Sequence, residues 1–221
     1  MSNGAKAALF DALAEVAKAL ANGRRAELID TLAQGERSVE ELAEVIGQSV
    51  ANTSQHLQRL LRAGLVTTRR DGTRIHYSLS SPAVYTLWRT MTETAERHVQ
   101  NLDALAEAFL GDRTGMSTIS RDELRSRMRA GDIVIIDVRP EAEFRAGHIR
   151  GARSVPTSRL KAELASIPAD ADVVAYCRGP FCVMADDAVR YLTRKGRRAI
   201  RLDGGFPEWA AEGQPIAAGG S

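Results

Sequence analysis

Cysteine is scarce in this chain: its 221 residues include two, Cys177 and Cys182. A pair so close in sequence cannot tie distant parts of a fold together, which excludes a disulfide scaffold and leaves both thiols for chemistry. Long apolar runs are lacking as well. None approaches the roughly 18 residues that cross a bilayer, and the first residues carry no basic-then-apolar secretory pattern. A cytoplasmic protein with no membrane partner is expected. An excess of charge of either sign is the third absence: 30 Lys and Arg stand against 28 Asp and Glu, a net charge of +2. Binding to nucleic acid therefore has to be argued from where the charges lie, not from their total. The rest of the composition, 44% hydrophobic and 26% charged, is that of ordinary soluble proteins.

The length and a change of pattern near residue 111 predict two domains, 1–110 and 118–221, joined by a polar linker at 111–117. In the first, Leu9, Phe10, Leu13, Val16, Ala17 and Leu20 follow helical spacing up to Asn22-Gly23. Leu28, Ile29 and Leu32 mark a second helix. Ser38 precedes Glu41 by three residues, a capping-box pattern that opens a short third one. A fourth helix is expected from Val50 to Ala63, closed by Gly64. The period then changes to that of two short strands around Asp71-Gly72, a favoured hairpin turn. Helix, turn, helix and hairpin is the order of a winged helix-turn-helix. Five arginines (Arg59, Arg62, Arg69, Arg70, Arg74) face one acid, Asp71, between residues 49 and 80. Positive charge is thus concentrated where phosphate contacts are needed. From Ala83 to Leu110 one long helix is expected, whose stripe of Val84, Leu87, Trp88, Met91, Ala95, Val99, Leu102, Leu105 and Phe109 is too long for so small a domain to cover.

Leu20-Ala21-Asn22-Gly23-Arg24-Arg25, Val39-Glu40-Glu41-Leu42-Ala43, Ser54-Gln55-His56-Leu57-Gln58-Arg59-Leu60 and Ala63-Gly64-Leu65-Val66 resemble the ArsR/SmtB family of bacterial repressors. The resemblance implies that Ser49, Asn52, Thr53, Ser54, Gln55 and His56 face double-stranded operator DNA, with Arg59 beside them and Arg69, Arg70, Arg74 and Tyr77 on or near the wing. It also implies a homodimer formed through the first and last helices. Family members that sense sulfane sulfur carry two cysteines in this domain, and here it has none. No metal site or cofactor is expected.

The second half alternates strands and helices. Ile133 to Val138 reads as a strand buried on both faces, and Asp172 to Tyr176 as another that runs into a helix from Met184 to Lys195. An open α/β sheet with a central parallel core follows, and ligands bind such sheets at the C-terminal ends of their strands. Cys177 stands at that place. Free N–H groups at the start of the following helix are expected to favour its thiolate. The loop Cys177-Arg178-Gly179-Pro180-Phe181-Cys182-Val183 is expected to curl around the sulfur and to hold an anionic persulfide with backbone donors.

Asp137-Val138-Arg139-Pro140-Glu141-Ala142-Glu143-Phe144, Gly147-His148-Ile149-Arg150-Gly151-Ala152 and Leu202-Asp203-Gly204-Gly205-Phe206-Pro207-Glu208-Trp209 resemble the rhodanese family of sulfurtransferases, with Cys177 at the nucleophile position. The resemblance implies a cysteine persulfide that passes sulfur from a small donor to a thiol acceptor. Where thiosulfate-using members carry Arg or Lys, this loop ends in Cys182, which leaves Arg178 as its cation. Cys182 has two readings: a resolving thiol that attacks the persulfide, or a small apolar residue packed under the helix start. Asp137, Arg139 and His148 are expected to brace the loop, Trp209 to be core, and Gly204-Gly205 to make a tight turn. The expected fold is a mainly α winged helix-turn-helix followed by an α/β rhodanese-like domain. The expected function is transcriptional regulation, with Cys177 sensing reactive sulfur or redox state; the alternative is a working sulfurtransferase whose DNA-binding half controls its own operon.

Overall fold

The computed structural model describes residues 3–131 and 133–219, and the chain divides between Ala95 and Glu96 into two compact units. In the first, α1 (Asn3–Leu20) is followed by α2 (Gly23–Leu32), which Asn22 caps by accepting from the N–H groups of Arg24 and Arg25. A two-residue strand, β1 (Arg37–Ser38), precedes α3 (Val39–Val45), where the expected capping box of Ser38 and Glu41 is formed. Next come α4 (Val50–Arg62) and the hairpin of β2 (Val66–Asp71) and β3 (Arg74–Leu79), turning at Gly72 with φ 59°. β1 adds a third antiparallel strand beside β3. Leu28, Ile29, Leu42, Ile46, Leu57 and Leu60 form the core, each burial worth about 1.5–3 kcal/mol.

The long last helix is corrected to two: α5 (Pro82–His98) and α6 (Leu102–Leu110). Asn101, the residue before α6, breaks the run in the left-handed conformation at φ 64°, which its short polar side chain tolerates. Inside the first unit, the Trp88 indole N–H donates to Asp30 Oδ1 at 3.0 Å and fixes α5 to α2.

The second unit holds β4 (Thr118–Ile119), α7 (Arg121–Ala130), β5 (Ile133–Asp137), α8 (Glu141–Ala146), β6 (His148–Ile149), β7 (Arg153–Ser154), α9 (Leu160–Glu163), β8 (Asp172–Tyr176), α10 (Met184–Arg194), β9 (Arg198–Leu202), α11 (Phe206–Ala211) and β10 (Ile216–Ala217). Its sheet is parallel throughout, in the order β4-β9-β8-β5-β7. β6 and β10 form a separate antiparallel pair. Successive strand residues face opposite sides, so Ile136, Val173 and Ala175 join one core layer with Leu192, while Ile135, Val174 and Tyr176 join another with Trp209. Both faces of β8 are thereby buried, and its C-terminal end delivers Cys177. No helix among the described residues is long and apolar enough to cross a membrane.

Candidate functional site

On the first unit, α4 presents Asn52, Gln55 and Arg59 to solvent, with Ser49 at its N-cap accepting from the Asn52 N–H and Ser54 and His56 half-buried. Thr53 is corrected: it is fully buried, and its hydroxyl donates to the Ser49 carbonyl at 3.0 Å, so it holds the helix start and does not face a ligand. Tyr77 lies on the wing but inside it, accepting from Gln58 Nε2 at 3.4 Å. Arg69, Arg70 and Arg74 are exposed on the hairpin. Arg69 is partly neutralised by Glu36 at 2.6 Å and Asp71 at 3.6 Å. Burial, then the cations Arg25, Arg59 and Arg24, push the His56 pKa down, so this ring is neutral near neutral pH. A hollow of about 360 Å³ beside α4 is lined by Arg25, Arg59 and Arg62 together with Lys18, which Glu15 pairs at 2.8 Å.

On the second unit, the loop after β8 is threaded against Gly205. A Cβ there would lie 2.4 Å from the Gly179 N and 2.5 Å from the Cys177 carbonyl oxygen. That oxygen accepts from the Phe206 N–H at 3.0 Å. Gly205 therefore serves close approach of two backbones more than a turn, and Gly179, at φ 150°, supplies the bend. Three further loop carbonyls are held by two arginines. Arg113 donates to Pro180 O at 3.0 Å and Cys182 O at 3.4 Å, and Arg201 to Gly179 O at 3.4 Å. Both arginines converge on the fully buried Asp186, at 2.6 and 2.8 Å. Arg113 falls in the segment expected to be a plain polar linker.

The surroundings of Cys177 work against the expected thiolate. Its residue is 0% exposed, and its Sγ lies 3.6 Å from Cys182 O and 4.0 Å from Gly179 O, inside the loop. Burial pushes the thiol well above its ordinary pKa, and a hydrogen bond with the Cys182 side chain adds to this; backbone N–H groups of Ala185 and Gly179 oppose it without winning. Desolvation of a buried anion outweighs two amide donors. Cys182 is half-buried, and its pKa is lowered to about 7 by the Cys177 thiol first, then by the N–H groups of Arg178 and Met184 and the Arg178 charge. Both thiols are free.

Arg178 is also corrected as the loop's anion-holding cation: it forms a two-pronged pair with Glu143, 2.6 Å at its closest, and Glu143 is buried. Asp137 and Arg139 are both 0% exposed and paired at 2.6 Å, with Arg139 also donating to Gly147 O at 2.6 Å and covering the Phe206 ring at 4.4 Å. His148 Nδ1 bonds Phe144 O at 2.8 Å while its ring stacks on Phe144. Trp209 is core, its indole N–H on Pro215 O. Sequence reasoning missed Arg113, Asp186, Arg201 and Glu143; one of two acids in the first turn of a helix and an Arg in a polar stretch give no local sign of pairing. Among the described residues, no group of three or more His, Cys, Asp and Glu side chains is placed to hold a metal ion.

Comparison with known proteins matches residues 22–68 to the bacterial regulatory protein, arsR family, and residues 120–212 to the rhodanese-like domain. The HTH-type transcriptional regulator Rv0324 of Mycobacterium tuberculosis is 44% identical over 214 residues, 97% of this chain and 94% of that protein. A sulfurtransferase of Allochromatium vinosum is 33% identical over 105 residues, 47% of this chain and 96% of that protein. Among solved structures, the homodimeric winged helix-turn-helix DNA-binding domain (fragment 1–100) of Mb0332 from Mycobacterium bovis is 44% identical, covering 46% of this chain and 93% of that one with a TM-score of 0.42. A relative matched at this identity over nearly its whole length fixes the lineage of both halves together: the chain belongs to the ArsR family of bacterial transcriptional regulators and carries a rhodanese-like domain behind its winged helix-turn-helix.

Proposed function

We propose that this regulator binds its operator as a homodimer, that the Cys177–Cys182 pair takes up sulfane sulfur to give a persulfide on Cys177, and that this modification changes operator affinity. The observation that carries the reading is that two free cysteines share the loop after β8, Cys177 buried within it and Cys182 half-buried and packed against the same core cluster. Residues 1–110 serve DNA binding and dimerisation, 111–117 connect, and 118–221 hold the thiols. In the complex, α4 enters the major groove with Ser49, Asn52, Ser54, Gln55, His56 and Arg59, and Arg69, Arg70 and Arg74 reach the flanking backbone. The cytoplasm, where thiols stay reduced, is the setting such a sensor needs.

Dimerisation is supported by apolar side chains left in water. On α1, Leu9, Phe10 and Leu13 are 59–62% exposed, and on α5 Leu87 and Met91 are exposed as well. Soluble monomers seldom leave such a row uncovered, and a second copy of the same face covers it by two-fold symmetry. Coupling requires the modified loop to favour one arrangement of the dimer over another. Arg113 supports a route for it, because this residue, shortly after α6, holds the carbonyls of Pro180 and Cys182.

Likeness to the Allochromatium vinosum sulfurtransferase favours a second reading, in which Cys177 passes its sulfur to a thiol acceptor and the DNA-binding half controls only its own operon. A DNA-binding titration at fixed salt, with and without a hydropersulfide donor, separates the two. The sensor reading expects a donor-dependent change in operator affinity that disappears in Cys177→Ser; sulfur transfer to thiols with no change in affinity overturns it.

A further inference from the structure

A hollow of about 700 Å³ in the second unit takes no part in the thiol loop. It is bordered by Asp172, the first residue of β8, and by Arg198, the first of β9, whereas Cys177 follows the last residue of β8. The length of that strand, roughly 16 Å, separates the two places. In size the hollow matches small-molecule sites, which usually enclose about 300–1,000 Å³. Its apolar lining is Met116, Ile119, Val189, Ala199 and Ile200. Around these stand Arg127, Arg190, Arg194, Arg197 and Arg198, against the acids Asp112, Glu123 and Asp172.

Ion pairing sorts these cations. Arg127 and Arg198 both close on Asp172, Arg127 at 3.0 Å, and Arg127 also reaches Glu123 at 3.1 Å. Arg190 donates to the Asp112 carbonyl at 2.7 Å and lies 3.4 Å from Asp187. Arg194 is exposed and forms no ion pair among the described residues. Arg197 gives Nη2 to Leu164 O at 3.3 Å, while its Nη1 is buried without a hydrogen-bond partner. A helix C-terminus attracts a cation such as Arg194. Arg197 lies beyond the end of α10, and a buried guanidinium nitrogen with no acceptor calls for one. We propose that the hollow is a binding site for a small organic anion, an apolar body that packs on Met116, Ile119 and Ile200 and carries one acidic head held by Arg194 and Arg197. The site is independent of the thiol chemistry proposed above. One wall is formed by Asp112 and by Thr114 to Thr118, which flank Arg113, so a bound anion adjoins a support of the Cys177 loop from the far end of the strand.

The test is a fluorescence titration of the full-length protein with 8-anilinonaphthalene-1-sulfonate, an aromatic body that bears a single sulfonate. Wild type is expected to bind about one dye per chain at micromolar concentration, and to bind the uncharged N-phenyl-1-naphthylamine about tenfold more weakly or worse. Thr193→Trp, which fills the hollow from its exposed edge, is expected to abolish dye binding. Arg194→Glu and Arg197→Gln are each expected to weaken it about tenfold or more. Thr193 and Arg194 are exposed, so their substitution leaves the fold intact and the test stands whatever Arg197→Gln does to stability. Dye bound with wild-type affinity by Thr193→Trp and Arg194→Glu sits elsewhere, on the exposed apolar rows of α1 and α5, and overturns the inference. Equal affinity for the uncharged analogue, or saturation only at millimolar dye, overturns it as well.

Discussion

Arg113 and Asp186 lie 73 positions apart and are joined by a double contact, Nε at 2.7 Å and Nη2 at 2.6 Å from the same carboxylate oxygen. Asp186 is fully buried and also holds Arg201, so its removal strands two guanidinium groups in a poorly hydrated place. Asp186→Asn is expected to lose about 3–5 kcal/mol of stability in the rhodanese-like unit, read from its urea transition. An unchanged midpoint would show that the carboxylate does not hold the loop. Arg113→Ala is expected to spare operator binding without donor and to erase the donor's effect on it.

The thiol pair gives a pH signature. Cys182 should be alkylated with a rate that rises through a midpoint of about 7. The first cause of that low value is the Cys177 thiol, so Cys177→Ala is expected to move the midpoint up towards the ordinary 9.0, whereas Cys177→Ser, which keeps a donor, moves it less. Stability is the poorer readout, because the two shifts oppose each other. The lowered Cys182 contributes stability above 9.0 that is lost as pH falls through about 7, while the raised Cys177 contributes stability below 9.0 that is lost as pH rises further.

On the DNA side the burial pattern ranks the substitutions. Gln55→Ala is expected to weaken operator binding by about 1–3 kcal/mol, while Thr53→Val leaves it unchanged because that hydroxyl bonds Ser49 inside the helix start. Arg70→Ala should reduce the salt slope of binding by about 1. Arg69→Ala should reduce it less, since Glu36 and Asp71 already offset that charge. Equal slopes for the two arginine variants would contradict this ranking.

Light scattering of Phe10→Glu and Leu13→Glu checks the dimer. Both side chains are about three-fifths exposed, at 60% and 62%, so a charge there is harmless to a monomer and disruptive only to a partner surface. Monomers with lost operator affinity are expected; a dimer of wild-type affinity would place the interface elsewhere.

The secondary structure was legible wherever the signal is local. Ile133 to Val138 is apolar on both faces because the strand is covered on both, Ser38 and Glu41 cap what they were spaced to cap, and the Asp71-Gly72 turn closes the hairpin. Asn101 was not legible, since one residue entering the left-handed region splits a stripe whose periodicity continues on both sides. The loop's supports were invisible for a different reason. Arg113, Arg201 and Asp186 meet only through tertiary contacts, and nothing in their neighbours' spacing announces them. At Cys177 a helix start can be read from sequence whereas the degree of burial at a strand end cannot, and burial is the larger influence on this thiol.

Gly205 makes the compliance of the thiol loop one-sided. Where Cys177 and Gly179 pass it, main chain lies flush on main chain and cannot yield; where Pro180 and Cys182 follow, the grip is guanidinium on carbonyl, which can lengthen. Added bulk on the Cys177 sulfur would therefore meet rigid main chain on the Gly205 side and extensible hydrogen bonds from Arg113 on the other.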